Sequence, residues 1–183
     1  MKKLDFLNRD QIIKLHRLGK VRNANRVLGE LSDYLCKYRE EYMTVYYLNR
    51  AGRDYVDCDK VRKKGNKVSH SLARNDFYIH AKCPFDWTNE MKIGDSVEYC
   101  VCDALFKSNG KYFALEVDLQ QSISENRLKA KKYKGIFERK VLEKELGNFP
   151  TVIWLTNSEL RRKQLTEISK GFPYMVLTLN DIR

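Results

Sequence analysis

The stretch "KSNGKYFALEVD", residues 107–118, places two carboxylates, Glu116 and Asp118, on alternate positions of a run of strand formers. Asp103 stands a few residues upstream, in "VEYCVCDALFK". Asn109-Gly110 is a strong hairpin signal, because both residues accept positive φ. A two-residue loop there pairs Ser108 with Lys111, which predicts Asp103 opposite Glu116 and Val101 opposite Asp118. Opposed side chains share a face at about 5 Å. The three carboxylates are therefore expected on one face, with Cys102, Ala104, Phe106, Phe113, Leu115 and Val117 on the other. Like charges so placed need a cation. Mg²⁺ or Mn²⁺ suits an oxygen-rich cluster and could activate water against a phosphodiester. The competing reading is an internal salt-bridge site, neutralised by Arg127 or Lys131 from the following helix.

The elements that would position these groups are legible in outline. "LNRDQIIKLHRLG" reads as a helix capped by Asn8, with Gln11 in the capping-box position and Gly19 as its stop. "RNANRVLGELSDYL" reads as a second helix, its apolar residues Ala24, Val27, Leu28, Leu31 and Leu35 stepping by three and four. Two short strands, "LCKYRE" and "MTVYYLN", flank an acidic turn at Glu40-Glu41, and "NRAGRDYV" returns to helix. Helix, helix, hairpin, helix is the order of a winged helix-turn-helix. The charged stretch at 57–67 reads as a linker. Beyond it come a helix in "VSHSLARNDFYIH", an irregular or partly extended "PFDWTNEMKIGDS", and the hairpin. A long helix follows from Ser122 to Gly147, then a wholly apolar strand "TVIWLT", a helix, and a last strand "YMVLTL". Such an order predicts an α/β layer with a mixed sheet.

The chain of 183 residues carries a formal charge of +11, and basic proteins favour polyanions. Residues 1–67 hold 17 Lys/Arg against 9 Asp/Glu, residues 68–183 hold 18 against 15. The excess sits where the winged helix is predicted. Lys20, Arg22, Asn23, Asn25 and Arg26, at the start of the second helix, are the candidate groove-entering residues. Lys37 and Arg39, on the wing, would meet phosphates. The partner so indicated is double-stranded DNA, and a protein-binding winged helix is the alternative.

Other chemistries are disfavoured. The five cysteines, Cys36, Cys58, Cys83, Cys100 and Cys102, form no CxxC pair, and Cys100 and Cys102 read as small buried apolar residues. His16, His70 and His80 are scattered, with no His-x-His to serve a metal-dependent relaxase; His70 is the one that could approach the carboxylates. No apolar run of about 18 residues predicts a membrane span, and the start is too polar for a secretory signal. A cytoplasmic location is expected.

Taken in order, "RNANRVLGELSDYL", "MTVYYLNRAGRDYV", "SHSLARNDFYIH" and "CDALFKSNGKYFALEVD" resemble the replication-relaxation family of bacterial plasmids, conjugative elements and phages, across roughly residues 8–140. The resemblance implies an N-terminal winged helix and a downstream region with an aspartate strand followed by a Glu-x-Asp strand. The second half also resembles the restriction-endonuclease-like fold, a three-layer α/β architecture with an Asp on one hairpin strand and Glu-x-Lys on the next. Asp103 and Glu116 match the first two positions. Asp118 stands where the catalytic Lys belongs, and Arg127, Lys129 or Lys131 on the next helix could supply the cation instead. Two domains follow, a winged helix at 1–60 and a nuclease-like domain at 68–183. Three functions stay open: a DNA-binding accessory protein of a mobile element, a Mg²⁺- or Mn²⁺-dependent endonuclease using Asp103, Glu116, Asp118 and Lys131, and a non-enzymatic transcriptional regulator. Homodimerisation and contact with replication or conjugation proteins are compatible with all three.

Overall fold

The computed structural model describes residues 1–183 except Glu41, Asn66 and Arg183, with every side chain but that of Lys144. The protein is mixed α and β and divides into two compact units, Met1–Ile79 and His80–Arg183.

In the first unit a short strand β1 (Leu7–Asn8) leads into α1 (Arg9–His16) and α2 (Val21–Glu30). A 3-10 turn at Ser32–Tyr34 then leads to strands β2 (Leu35–Glu40) and β3 (Met43–Leu48), followed by α3 (Arg50–Tyr55) and α4 (Val68–His80). Among the described residues the three strands form one antiparallel sheet in the order β1-β3-β2. Asn8 caps α1 as its sequence predicts: its side chain accepts from the Gln11 N–H, and the Gln11 side chain accepts from the Asn8 N–H. The helix ends at Arg17, in the left-handed region at φ 51°, two residues before the expected stop at Gly19. Leu4, Leu7, Ile12, Leu28 and Tyr46 bury together as the core between the helices and the sheet.

Helix α4 lies within the range 68–183 read as one domain, yet its contacts tie it to the first unit. Gln11 Nε2 donates to the Leu72 carbonyl and to Asp76 Oδ1, both at 2.8 Å. Asn75 Nδ2 donates to the carbonyls of Leu4 and Phe6 at 2.9 and 2.6 Å. The described residues of the stretch 57–67, all but Asn66, are irregular, as a linker would be, but the stretch is pinned at Arg62. Arg62 donates through Nε and Nη2 to Asp5 Oδ1 at 2.8 and 2.6 Å, and Arg74 of α4 donates to Asp5 Oδ2 at 2.9 Å. Asp5 and Arg74 are buried, so each needs the other to offset lost hydration.

The second unit carries β4 (Thr88–Gly94), β5 (Tyr99–Ser108), β6 (Lys111–Asp118), α5 (Ile123–Glu138), α6 (Glu143–Leu146), β7 (Thr151–Thr156), α7 (Glu159–Ile168) and β8 (Tyr174–Thr178). The sheet order is β4-β5-β6-β7-β8, antiparallel through β6 and parallel from β6 to β8, hence mixed. Two successive parallel crossovers run in one direction along the sheet, and α5 and α7 touch, so the two helices lie on the same face. β4 is a full strand where an irregular or partly extended segment was expected.

The helix predicted to run from Ser122 to Gly147 breaks after Glu138. Lys140 turns left-handed at φ 53°, the Val141 N–H bonds back to the Ile136 carbonyl, and the Lys140 N–H bonds to that of Phe137. This is a Schellman ending without glycine. Leu142 is then buried in the same core as Ile136 and Tyr133, and that burial compensates the left-handed residue. Asp5→Ala would leave the Arg74 guanidinium buried and unpaired; we expect unfolding free energy in urea to fall by about 3 kcal/mol, with a smaller loss for substitution of the more exposed Arg62.

Candidate functional site

The hairpin register follows the Asn109-Gly110 turn: Ser108 pairs with Lys111, Phe106 with Phe113, and Ala104 with Leu115. There the pairing stops. The Asp103 carboxylate takes the place of a ladder acceptor, with Oδ2 receiving the Val117 N–H at 2.7 Å. On the neighbouring strand Glu90 stands between the pairs Asn89–Ala104 and Met91–Cys102 and is left-handed at φ 53°. The two strands lose step together at this level. As a result Cys100 and Cys102 share a core with Leu105, Ala114, Ala130 and Tyr133. Cys102 was expected on the face away from the carboxylates; the break in alternation turns it to the layer that contains Tyr133.

Glu116 and Asp118 both meet α5 and are both buried, at 2% and 1% exposure. Glu116 Oε1 accepts from the Tyr133 hydroxyl at 2.5 Å, and Oε2 accepts from Lys129 Nζ. Burial pushes the Glu116 carboxyl up from 4.5 to about 8. Lys129 opposes this, the Asp103 charge adds to it, and the Tyr133 hydrogen bond opposes it weakly. Burial draws the Lys129 ammonium down, but the charge and hydrogen bond of Glu116 outweigh it and leave the lysine raised. Burial and then the Glu116 charge hold the Tyr133 phenol well above its ordinary value.

Asp118 is held separately. Arg161, from α7, donates through Nε to Oδ2 at 2.5 Å and through Nη2 to Oδ1 at 3.0 Å. Asn126 Nδ2 also donates to Oδ1, at 2.8 Å. A bidentate guanidinium is the tightest partner a carboxylate finds among side chains. Arg127 and Lys131, the cations expected to neutralise the cluster, are exposed on α5. Lys129 and Arg161 do so instead. Lys129 sits one helical turn from Tyr133 and had been named as a source of charge; Arg161, 43 residues from Asp118 in sequence, carried no signal.

A divalent ion, Mg²⁺ or Mn²⁺, is what a cluster of Asp103, Glu116 and Asp118 suits. Among the described residues no group of three His, Cys, Asp or Glu side chains is arranged to hold a metal. Both oxygens of Glu116 and both of Asp118 already accept from protein donors. The donor set as placed does not fit the ion. Burial pushes the Cys100 thiol up to about 12 and that of Cys102 further, so neither offers a thiolate. His70 lies on α4 in the first unit, and His16 and His80 are exposed.

In the first unit four residues separate α1 from α2. Asn23 Nδ2 donates to the Leu18 carbonyl at 2.9 Å and its Oδ1 accepts from Arg26, so Asn23 fixes the turn. Arg26 also pairs with Glu30. Lys20, Arg22 and Asn25 are exposed along the first turns of α2, with Asn25 Oδ1 accepting from Arg9 at 3.4 Å. Lys37 and Arg39 are exposed on β2, opposite Tyr46 and Thr44. Of the tip Glu40-Glu41, Glu41 lies outside the described residues.

Residues 1–152 match the family model described as replication-relaxation. The chain belongs to the replication-relaxation family. The matched span takes in α1, α2, the β2–β3 hairpin and the strands bearing Asp103, Glu116 and Asp118, and ends before α7 with Arg161. No curated protein and no solved structure matches the chain. No helix among the described residues is long and apolar enough to cross a membrane.

Because the folded Glu116 holds its proton more tightly than the unfolded chain does, the stability it contributes is complete below about 4.5 and is lost as pH rises through about 8. We expect its carboxyl carbon to titrate near 8 by NMR and Lys129→Met to raise the midpoint; a midpoint at or below 4.5 contradicts burial as the dominant cause. Arg161→Ala is expected to cost about 3 kcal/mol in chemical denaturation by stranding Asp118, and the double change with Asp118→Asn to recover most of it.

Proposed function

We propose that this member of the replication-relaxation family is a DNA-binding accessory protein of a plasmid, conjugative element or phage, acting in DNA replication or relaxation or in its control. The first unit reads duplex DNA as a winged helix. One observation carries this: α2 follows α1 across a short pinned turn, its first turns present Lys20, Arg22 and Asn25 outward, and the antiparallel hairpin that comes next exposes Lys37 and Arg39. Arg suits guanine and Asn suits adenine in the major groove, while the hairpin lysine and arginine suit phosphates. Asn23 serves the turn and not the groove in this reading, and Arg26 is partly occupied by Glu30.

The second unit is, in the same proposal, a nuclease-like scaffold whose acidic layer stabilises the fold. The endonuclease alternative, with Mg²⁺ or Mn²⁺ at Asp103, Glu116 and Asp118, draws support from the closeness of Lys129 to Glu116, the arrangement in which a helix supplies the missing cation. Against it stand the protein donors on every oxygen of Glu116 and Asp118. A purely regulatory role differs from the accessory role in its target, a promoter in place of an origin or transfer site.

Duplex sites selected from a random pool test the reading. Arg22→Ala with Asn25→Ala is expected to weaken the selected site by roughly 30-fold or more, at about 1–3 kcal/mol for each of the two base-pair contacts, with thermal stability unchanged because both side chains are exposed. Equal losses on selected and random duplex would remove α2 as the reading helix. Supercoiled plasmid incubated with Mn²⁺ should stay intact; nicking abolished by Asp103→Ala would favour the endonuclease.

A further inference from the structure

The second unit has its own basic feature, which the reading of α2 does not use. Residues 80–183 hold 17 Lys/Arg against 14 Asp/Glu, while 123–140, α5 and the two residues after it, hold seven against two. The rest of the unit is net acidic, so α5 holds the whole positive excess.

The helix sorts its cations by face. Lys129 points inward and is consumed by Glu116. Arg127, Lys131 and Lys134 recur at helical spacing and are exposed, with Lys132 beside them. Arg127, Lys131 and Lys132 make no ion pair with a described residue, and Lys134 reaches Glu138 only at 3.7 Å. The unit's buried acids cannot temper this face, since Glu116 and Asp118 are already matched by Lys129 and Arg161. From Arg127 to Lys134 the stripe is roughly 10 Å long at 1.5 Å per residue, a length over which duplex DNA presents several phosphates.

Resting on the preceding reading that the protein engages duplex DNA, we propose that the outer face of α5 is a second contact, one that grips the phosphate backbone without reading sequence. Duplex DNA fits this face better than an anionic membrane does. A membrane-lying helix needs a broad apolar face, whereas here Leu128, at 64%, is the main exposed apolar side chain, with Phe137 at 37% near the far end.

The experiment is a salt titration of duplex binding by the full chain in three forms: wild type, Arg127→Ala/Lys131→Ala/Lys134→Ala, and a control of equal charge change, Lys92→Ala/Lys107→Ala/Lys111→Ala, at exposed strand positions. Alanine favours helix, so the α5 variant keeps its fold, which circular dichroism checks. With about 0.9 of slope for each phosphate contact, the α5 variant should lower the slope of log affinity against log salt by about 2.7, equally on selected and random duplex, and the control by much less. Equal changes in the two variants, or no change, overturn the proposal. So does an α5-dependent loss of binding to phosphatidylserine vesicles with the DNA slope intact. The two readings fail separately: a wild type without sequence preference but with an α5-dependent slope removes the reading helix and keeps this contact. Sequence preference with an α5-independent slope does the reverse. A wild type that ignores duplex removes both.

Discussion

Two carboxylates sit with almost no water contact on β6, the middle strand of a five-stranded sheet, and much of the second unit is arranged to make that tolerable. An ionised carboxylate taken out of water loses several kcal/mol of hydration, so each recruits donors from a different helix. Glu116 takes Lys129 and Tyr133 from α5, one turn apart; Asp118 takes Asn126 from α5 and a bidentate Arg161 from α7. The two crossovers bring both helices to the face where these acids point. Helix placement, strand order and charge balance are thus one constraint met three times.

The same constraint separates the site's two possible lives. A catalytic carboxylate pair leaves oxygen lone pairs for an ion or water. Here they are taken by protein donors. On the outer face of α5, by contrast, Arg127, Lys131 and Lys132 make no ion pair with a described residue, and Lys20 and Arg22 at the start of α2 are exposed.

What the sequence made legible was local. Both capping boxes, Asn8 with Gln11 and Ser122 with Glu125, form as their spacing dictates, and the Asn109-Gly110 turn set the register down to Ala104–Leu115. The wholly apolar "TVIWLT" became a central parallel strand. Other features depend on tertiary contacts that spacing does not encode. Arg161 reaches Asp118 only because the two crossovers put both helices on one face. Lys140 adopts a glycine-like conformation because Leu142 gains a core position beyond it. Strict alternation along β5 would hold but for the step at Asp103, where a side-chain carboxylate replaces a backbone acceptor. Helix α4 was visible as a helix, but its bonds to Leu4, Phe6 and Gln11 depend on a fold that no local pattern announces.

The left-handed residue at Glu90 matters outside the acidic layer as well. β4 and β8 are the terminal strands of the sheet, and a long flat margin of unpaired amides invites strands from other molecules to add on. Glu90 kinks that margin near its centre, Lys92 sets a charge just past the kink, and β8 offers only five residues. The irregularity that reorients Cys102 thereby also makes the border a poor template for cross-β growth.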